Sequence, residues 1–143
     1  MTQPLPLSSH RAFVDTSANF ALIDQRDANH NTAVTIATRL ASQRWRLFTT
    51  NYIVAEPHAL LLARLGRDAA LTFLREIGHT TIRATVADER RAQEIIEEYT
   101  DKDFSLADAI SFAVMERVHI RFSFTFDQHF AQYGLIVLTS ELV

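Results

Sequence analysis

"HIRFSFTFDQHFAQYGLIVLT", residues 119–139, carries the reading that decides the fold. Its first part, 119–127, alternates bulky residues and reads as a strand that ends in Asp127. Residues 128–134 read as a short helix, and "LIVLT" (135–139) as a buried final strand. A short apolar run, an acid and a helix recur at the other end of the chain. There "RAFVD" (11–15) reads as a strand ending in Asp15, and "TSANFALI" (16–23) as a helix opened by Thr16 or Ser17. Between these ends the same alternation continues. Helices are expected over 32–43, 51–66, 68–78, 87–99 and 105–118, and strands over 45–50 and 80–85. Pro57 is expected to kink the 51–66 helix, because it frees one carbonyl and disfavours helical backbone at Glu56. Strands alternating with helices predict an α/β fold: a mostly parallel sheet covered by helices on both faces. Ligands of such sheets bind beyond the carboxyl ends of the strands, so the acids at those ends matter most.

The chain has 143 residues, the size of one domain, and its 48% apolar content is enough for a substantial core. Residues 1–10 hold two prolines and read as a flexible tail, with residues 11–143 forming the single domain. The start of the chain lacks a basic segment followed by an apolar run, so it does not read as a signal peptide, and "ALLLA" is far too short to span a membrane. With no cysteine, disulfide and thiolate chemistry are excluded. A cytoplasmic protein with no membrane association is expected.

Each acid has a structural reading beside a functional one. Asp15 and Asp127 either cap the helices that follow or serve as ligands. Glu56 is either a solvent-facing glutamate or, among Val54, Ala55, Ala59 and Leu60, an acid in need of a partner. In "DKDFSLADA" (101–109), Ser105 and Asp108 form a capping box, but this leaves Asp101 and Asp103 unexplained. Asp15 and Asp127 share one placement, at the end of an apolar strand and the start of a short helix, and so are expected to face each other. Clustered carboxylates raise one another's pKa and cost stability, and a divalent cation resolves the conflict. Oxygen donors without cysteine or patterned histidines favour Mg²⁺ or Mn²⁺ over zinc. His129 reads as an exposed helix residue, and His119 has no identifiable partner.

Four segments, in order, resemble the PIN domain, in particular the toxin ribonucleases of bacterial toxin–antitoxin pairs often called VapC. They are "FVDTSA" with Asp15, "TTNYIVAE" with Glu56, "DKDFSLADAISFAVM" with Asp108, and "TFDQHF" with Asp127. The resemblance spans nearly the whole chain. It implies a three-layer α/β/α sandwich with a mostly parallel sheet of about five strands, and metal-dependent endoribonuclease activity. It also implies that Asp15, Glu56, Asp108 and Asp127 are the catalytic, metal-holding quartet, with Asp103 an additional acid and Ser17 and Ser105 in support. A homodimer and a small cognate antitoxin are implied as well. Pro57 is not required by the family's pattern and is expected to tilt the Glu56 carboxylate.

The net charge of −3 disfavours nucleic acid only at first sight. Outside the quartet 13 acids stand against 14 basic residues, 13 of them arginine, whose fork of donors suits phosphate. Arg44, Arg46, Arg64, Arg67 and Arg83 are candidate contacts to an RNA backbone. Tyr52 and Tyr99 are candidate base-stacking residues, whereas Trp45, beside a strand, reads as core. A haloacid-dehalogenase-like phosphatase would need a second aspartate where Ser17 stands. A phosphorylated receiver domain would need a lysine late in the chain, and the only lysine is Lys102. The remaining alternative is a PIN-like domain that binds RNA or protein without cutting. Finally, "HALLLARL" (58–65) and "FLREI" (73–77) hold more large apolar residues than one small domain is expected to bury, so these segments either form a partner surface or simply pack on the sheet.

Overall fold

The computed structural model describes residues 10–143. Of the expected N-terminal tail, residues 1–9 lie outside the described residues. His10 stacks on Trp45 with ring centroids 4.8 Å apart, and its carbonyl accepts a hydrogen bond from Arg46.

Five strands run in chain order as β1 (Arg11–Val14), β2 (Arg46–Thr50), β3 (Thr80–Ile82), β4 (Phe122–Phe124) and β5 (Ile136–Val137). All pair in parallel, in the order β3-β2-β1-β4-β5. Seven helices connect them among the described residues: α1 (Thr16–Ile23), α2 (His30–Ser42), α3 (Asn51–Leu65), α4 (Arg67–Glu76), α5 (Val86–Glu98), α6 (Leu106–Val118) and α7 (Gln128–Tyr133). The expected α/β/α sandwich is what the chain forms.

The layers follow from the two-residue period of the strands. In β1, Phe13 faces a core shared with α5, α6 and α7, whereas Ala12 and Val14 face a core built with α1 and α2. All three are fully buried, as a central parallel strand requires. A third cluster, Phe20, Leu61, Ala70 and Phe73, joins α1 to the α3–α4 pair.

The chain moves outward from β1 through β2 to β3, then returns to the other side of β1 for β4 and β5. The direction of winding therefore reverses between β1 and β4. Crossover connections diverge at such a point and leave a crevice beyond the carboxyl ends of the two strands.

Some element ends differ from the expected ones. β4 is three residues rather than the alternating run 119–127, because His119 adopts the left-handed conformation (φ 59°) that closes α6. At the other end, the Thr125 side chain is turned to bonds with Asp15 and Asp127. The helix α3 continues through Pro57, which is buried. No helix among the described residues is long and apolar enough to cross a membrane.

Candidate metal centre

Asp15 directly follows β1 and caps α1, accepting a hydrogen bond from the Ala18 amide at 3.2 Å. The same carboxylate accepts from Ser17 Oγ at 2.8 Å and from Thr125 Oγ1 at 2.7 Å. Those two hydroxyls in turn accept from backbone amides of the loop after β4: Ser17 Oγ from Phe126 and Thr125 Oγ1 from Asp127, each at 2.9 Å. The loops at the switch point are thus stitched together around one acid that is only 4% exposed. Burial pushes the Asp15 carboxyl up to about 7; the Thr125, Ser17 and Ala18 hydrogen bonds oppose the shift, and the nearby Asp127 charge adds to it.

Asp127 caps α7 and accepts from the His129 amide at 2.9 Å. Asp108 stands at the third position of α6, in a reciprocal box with Ser105. The Ser105 hydroxyl accepts from the Asp108 amide at 3.0 Å, and the Asp108 carboxylate accepts from the Ser105 amide at 3.3 Å. Burial raises the Asp108 carboxyl above the usual carboxylate range, and the charge of Asp127 raises it further. Capping and clustering therefore hold together for these acids, Asp15 and Asp127 after strands and Asp108 in the first turn of α6. A side chain that fills a cap points back over the helix N-terminus, which at a sheet's carboxyl edge is where the crevice opens.

His129 belongs to the same group. Its Nδ1 lies 2.9 Å from Asp127 Oδ1 and 3.2 Å from Asp108 Oδ2. That nitrogen is buried yet makes no well-directed hydrogen bond to either oxygen, so the contacts are close approaches and not bonds. The expectation of an exposed helix residue is thus corrected: the ring turns inward and meets Phe104 edge-on at 5.7 Å. One signal for this was present in the sequence. A histidine two residues after a capping aspartate lies in the first turn, beside the cap it follows.

Asp108, Asp127 and His129 form the one group of three possible ligand residues among the described residues, with their donor atoms all within 4.8 Å of one another. Such a set fits a divalent cation, since two negative oxygens and an orphaned ring nitrogen converge where, among the described residues, no lysine or arginine pairs with the acids.

The other expected site residues are placed as follows. Glu56 is exposed on α3 and accepts from Thr16 Oγ1 at 2.6 Å, which ties it to the residue after Asp15 but leaves it outside the three-residue group. Asp103 is exposed in the loop before α6. Ser17 and Ser105 bond directly to Asp15 and Asp108. The arginines are scattered. Arg44, in a turn with φ 59°, and Arg46, opposite Arg11 at the start of β2, sit at the sheet edge opposite the acids. Arg64 lies over the Phe20 ring at 5.3 Å, and Arg67 opens α4. Arg83 alone of the five follows a strand at its carboxyl end. Trp45 is core, 7% exposed. Tyr52 donates to Glu89 at 2.7 Å, and Tyr99 packs against Phe104 and Tyr133.

A parallel α/β/α sandwich with carboxylates gathered at its switch point is the architecture of PIN domains, and residues 12–135 match the PIN domain family. The chain is 33% identical over 132 residues to the 23S rRNA-specific endonuclease VapC20 of Mycobacterium tuberculosis, spanning 90% of this chain and 98% of that protein. It is 30% identical over 122 residues to Ribonuclease VapC26 of the same organism, spanning 82% of this chain and 88% of that one. The crystal structure of Mycobacterium tuberculosis VapC20, described as a sarcin–ricin loop cleaving toxin, superposes with a TM-score of 0.80 at 30% identity, covering 90% of this chain and 98% of that structure. The chain belongs to the PIN-domain family, among its VapC-like toxin ribonucleases.

Proposed function

We propose that the protein is a Mg²⁺- or Mn²⁺-dependent endoribonuclease that hydrolyses RNA phosphodiester bonds, and the toxin of a toxin–antitoxin pair. The observation that carries this reading is the convergence of Asp15, Asp108 and Asp127 at one sheet edge, with the first two carboxyls raised by burial. Such an arrangement is costly for the empty protein and favourable once a cation is held.

Asp108 and Asp127 are the acids assigned to hold the cation, with Asp103 at the rim. Asp15 anchors the two loops through Ser17 and Thr125. A cation held there supplies positive charge to a phosphate oxygen and makes nearby water more acidic. Glu56 keeps one carboxylate oxygen on Thr16, which leaves the other to take the proton from the attacking water. Water attack on phosphorus breaks the bond to the 3′ oxygen, which takes a proton from solvent water to become a 3′-hydroxyl and leaves a 5′-phosphate; the 2′-hydroxyl is not the nucleophile. Arg83 is the arginine best placed to meet the RNA backbone.

The test is cleavage of synthetic RNAs, beginning with a sarcin–ricin loop oligonucleotide because a relative is described as cutting it, in Mg²⁺, Mn²⁺ or EDTA. Cleavage is expected with either ion and not in EDTA. Asp127→Asn is expected to lose at least about 100-fold in rate, consistent with several kcal/mol of charge stabilisation. RNA that is bound but left intact in both ions would instead make this a non-catalytic RNA-binding domain.

The reading extends to assembly as a homodimer that a small antitoxin covers. Support comes from Leu62 and Leu74, exposed by 48% and 42% on the expected apolar surface, although Leu61 and Phe73 beside them are core. Sedimentation equilibrium reports the dimer, and copurification with loss of cleavage reports the antitoxin.

A further inference from the structure

We infer that His129 Nδ1 is a direct ligand of the cation, and that this nitrogen makes the centre select Mn²⁺ over Mg²⁺. The inference rests on the nuclease reading of the site and adds a selecting residue that the acidic quartet does not contain.

Three observations carry it. The first is the orphaned atom: Nδ1 is buried, has no hydrogen-bond partner, and lies between carboxylates from two different helices. A ring nitrogen there stands close to two negative oxygens without a directed bond to either, an arrangement that a shared cation relieves. The second is spacing. Neighbouring ligands of an octahedral ion bound at about 2.1 Å stand about 3.0 Å apart. The distances from Nδ1 to Asp127 Oδ1 and Asp108 Oδ2 are 2.9 and 3.2 Å. The third is that the ring is already held. The His129 amide is bonded to the Asp127 carboxylate, and Phe104 meets the ring edge-on. A ligand fixed by its own backbone and by a packed neighbour loses little freedom on binding.

The selectivity follows from ligand chemistry. Mg²⁺ is a hard ion that prefers oxygen and gives up water reluctantly; Mn²⁺ also suits carboxylate oxygen but, as a first-row transition ion, loses less than Mg²⁺ when an imidazole nitrogen replaces one oxygen. A centre of two carboxylates and one imidazole therefore handicaps Mg²⁺ relative to Mn²⁺.

The competing account is that a protonated His129 serves only as counter-ion to Asp108 and Asp127. The two accounts differ in sign. A counter-ion competes with the metal, so removing it tightens metal binding; a ligand's removal weakens it. The experiment is titration of the full chain with Mn²⁺, read by the paramagnetic resonance signal of the free ion, and then displacement by Mg²⁺. It is done for wild type, His129→Ala and His129→Asn, with thermal melts to establish that each is folded. His129→Ala is expected to weaken Mn²⁺ by at least the roughly tenfold that loss of a supporting partner costs a metal site. Mg²⁺ should be weakened less, so the Mn²⁺ preference collapses. His129→Asn, offering an oxygen, should recover Mg²⁺ binding more than Mn²⁺ binding. Unchanged or tighter Mn²⁺ binding in His129→Ala, or the same Mn²⁺ to Mg²⁺ ratio in all three proteins, overturns the inference while leaving the nuclease reading in place. A wild-type chain that binds neither ion overturns both.

Discussion

Asp15 is placed where an aspartate is least comfortable, under the loops that follow β1 and β4, with a carboxyl pushed up to about 7 by burial. An acid whose folded pKa lies above its unfolded value favours folding most when protonated. That contribution is present below the unfolded value and is lost as the pH rises through about 7. His79 works in the opposite sense. Burial holds its ring down to about 4, so folding is disfavoured as the pH falls from the ordinary histidine range toward that value. Comparing Asp15→Asn with wild type isolates the first effect. In EDTA, the stability advantage of Asp15→Asn should grow from pH 5 to pH 8, reaching on the order of 1–3 kcal/mol. Melts across that range check it, and parallel profiles for the two proteins would refute it. Added divalent ion should stabilise wild type more than the variant.

At the scale of elements, helix caps and site acids are the same side chains. Asp15 caps α1, Asp127 caps α7, and Asp108 closes the α6 box with Ser105. The α6 box could be read from its four residues because both partners lie within one turn. An equivalent box, Thr85 with Asp88 at the start of α5, was within reach of the same rule. Asp88 also shows why a box does not make a site. Burial works to raise its carboxyl, but Arg117 beside it and the Thr85 bonds hold it below the ordinary range, so a protein cation already answers its charge. Ser105→Ala should cost about 1 kcal/mol through the lost cap. It should also loosen Asp108, so cleavage ought to fall by more than the loss of folded protein. Thr85→Ala, with a comparable cap loss at a box outside the Asp108, Asp127 and His129 group, should leave cleavage unchanged. Urea denaturation and initial rates on both variants provide the comparison; equal effects on rate would remove Ser105 from the site.

For the whole molecule, the site depends on how α7 is anchored. That helix has six residues, too few to be stable alone. It is tied down by Phe130, fully buried and packed edge-on against Phe112 at 5.0 Å and near Phe13 at 6.2 Å. Asp127 and His129 flank this anchor on the side toward the chain's start. Phe130→Ala should therefore cost about 3–5 kcal/mol, and the protein that remains folded should hold Mn²⁺ more weakly. Val34→Ala, at an exposed position of α2, should stay within about 0.5 kcal/mol. Denaturation midpoints and metal titrations test both together; a Phe130→Ala protein with wild-type metal affinity would mean that α7 does not set the centre.

By itself the sequence determined the alternation of strands and helices, the parallel sheet and the acids at strand ends, because each of these is written in neighbouring residues. An apolar run three residues long followed by an aspartate is a local pattern in "AFVD", and so is the box in "SLAD". The tertiary structure alone decided which strands are neighbours, and so placed β1 between β2 and β4 with the switch point beside Asp15. It also decided that Thr125 reaches across 110 positions to Asp15, that His129 turns inward, and that Arg44 and Arg46 stand at the far edge. The physical reason is the same in each case. Periodicity and capping act within a turn or two of chain, whereas these placements depend on contacts between segments that meet only when the sheet has assembled.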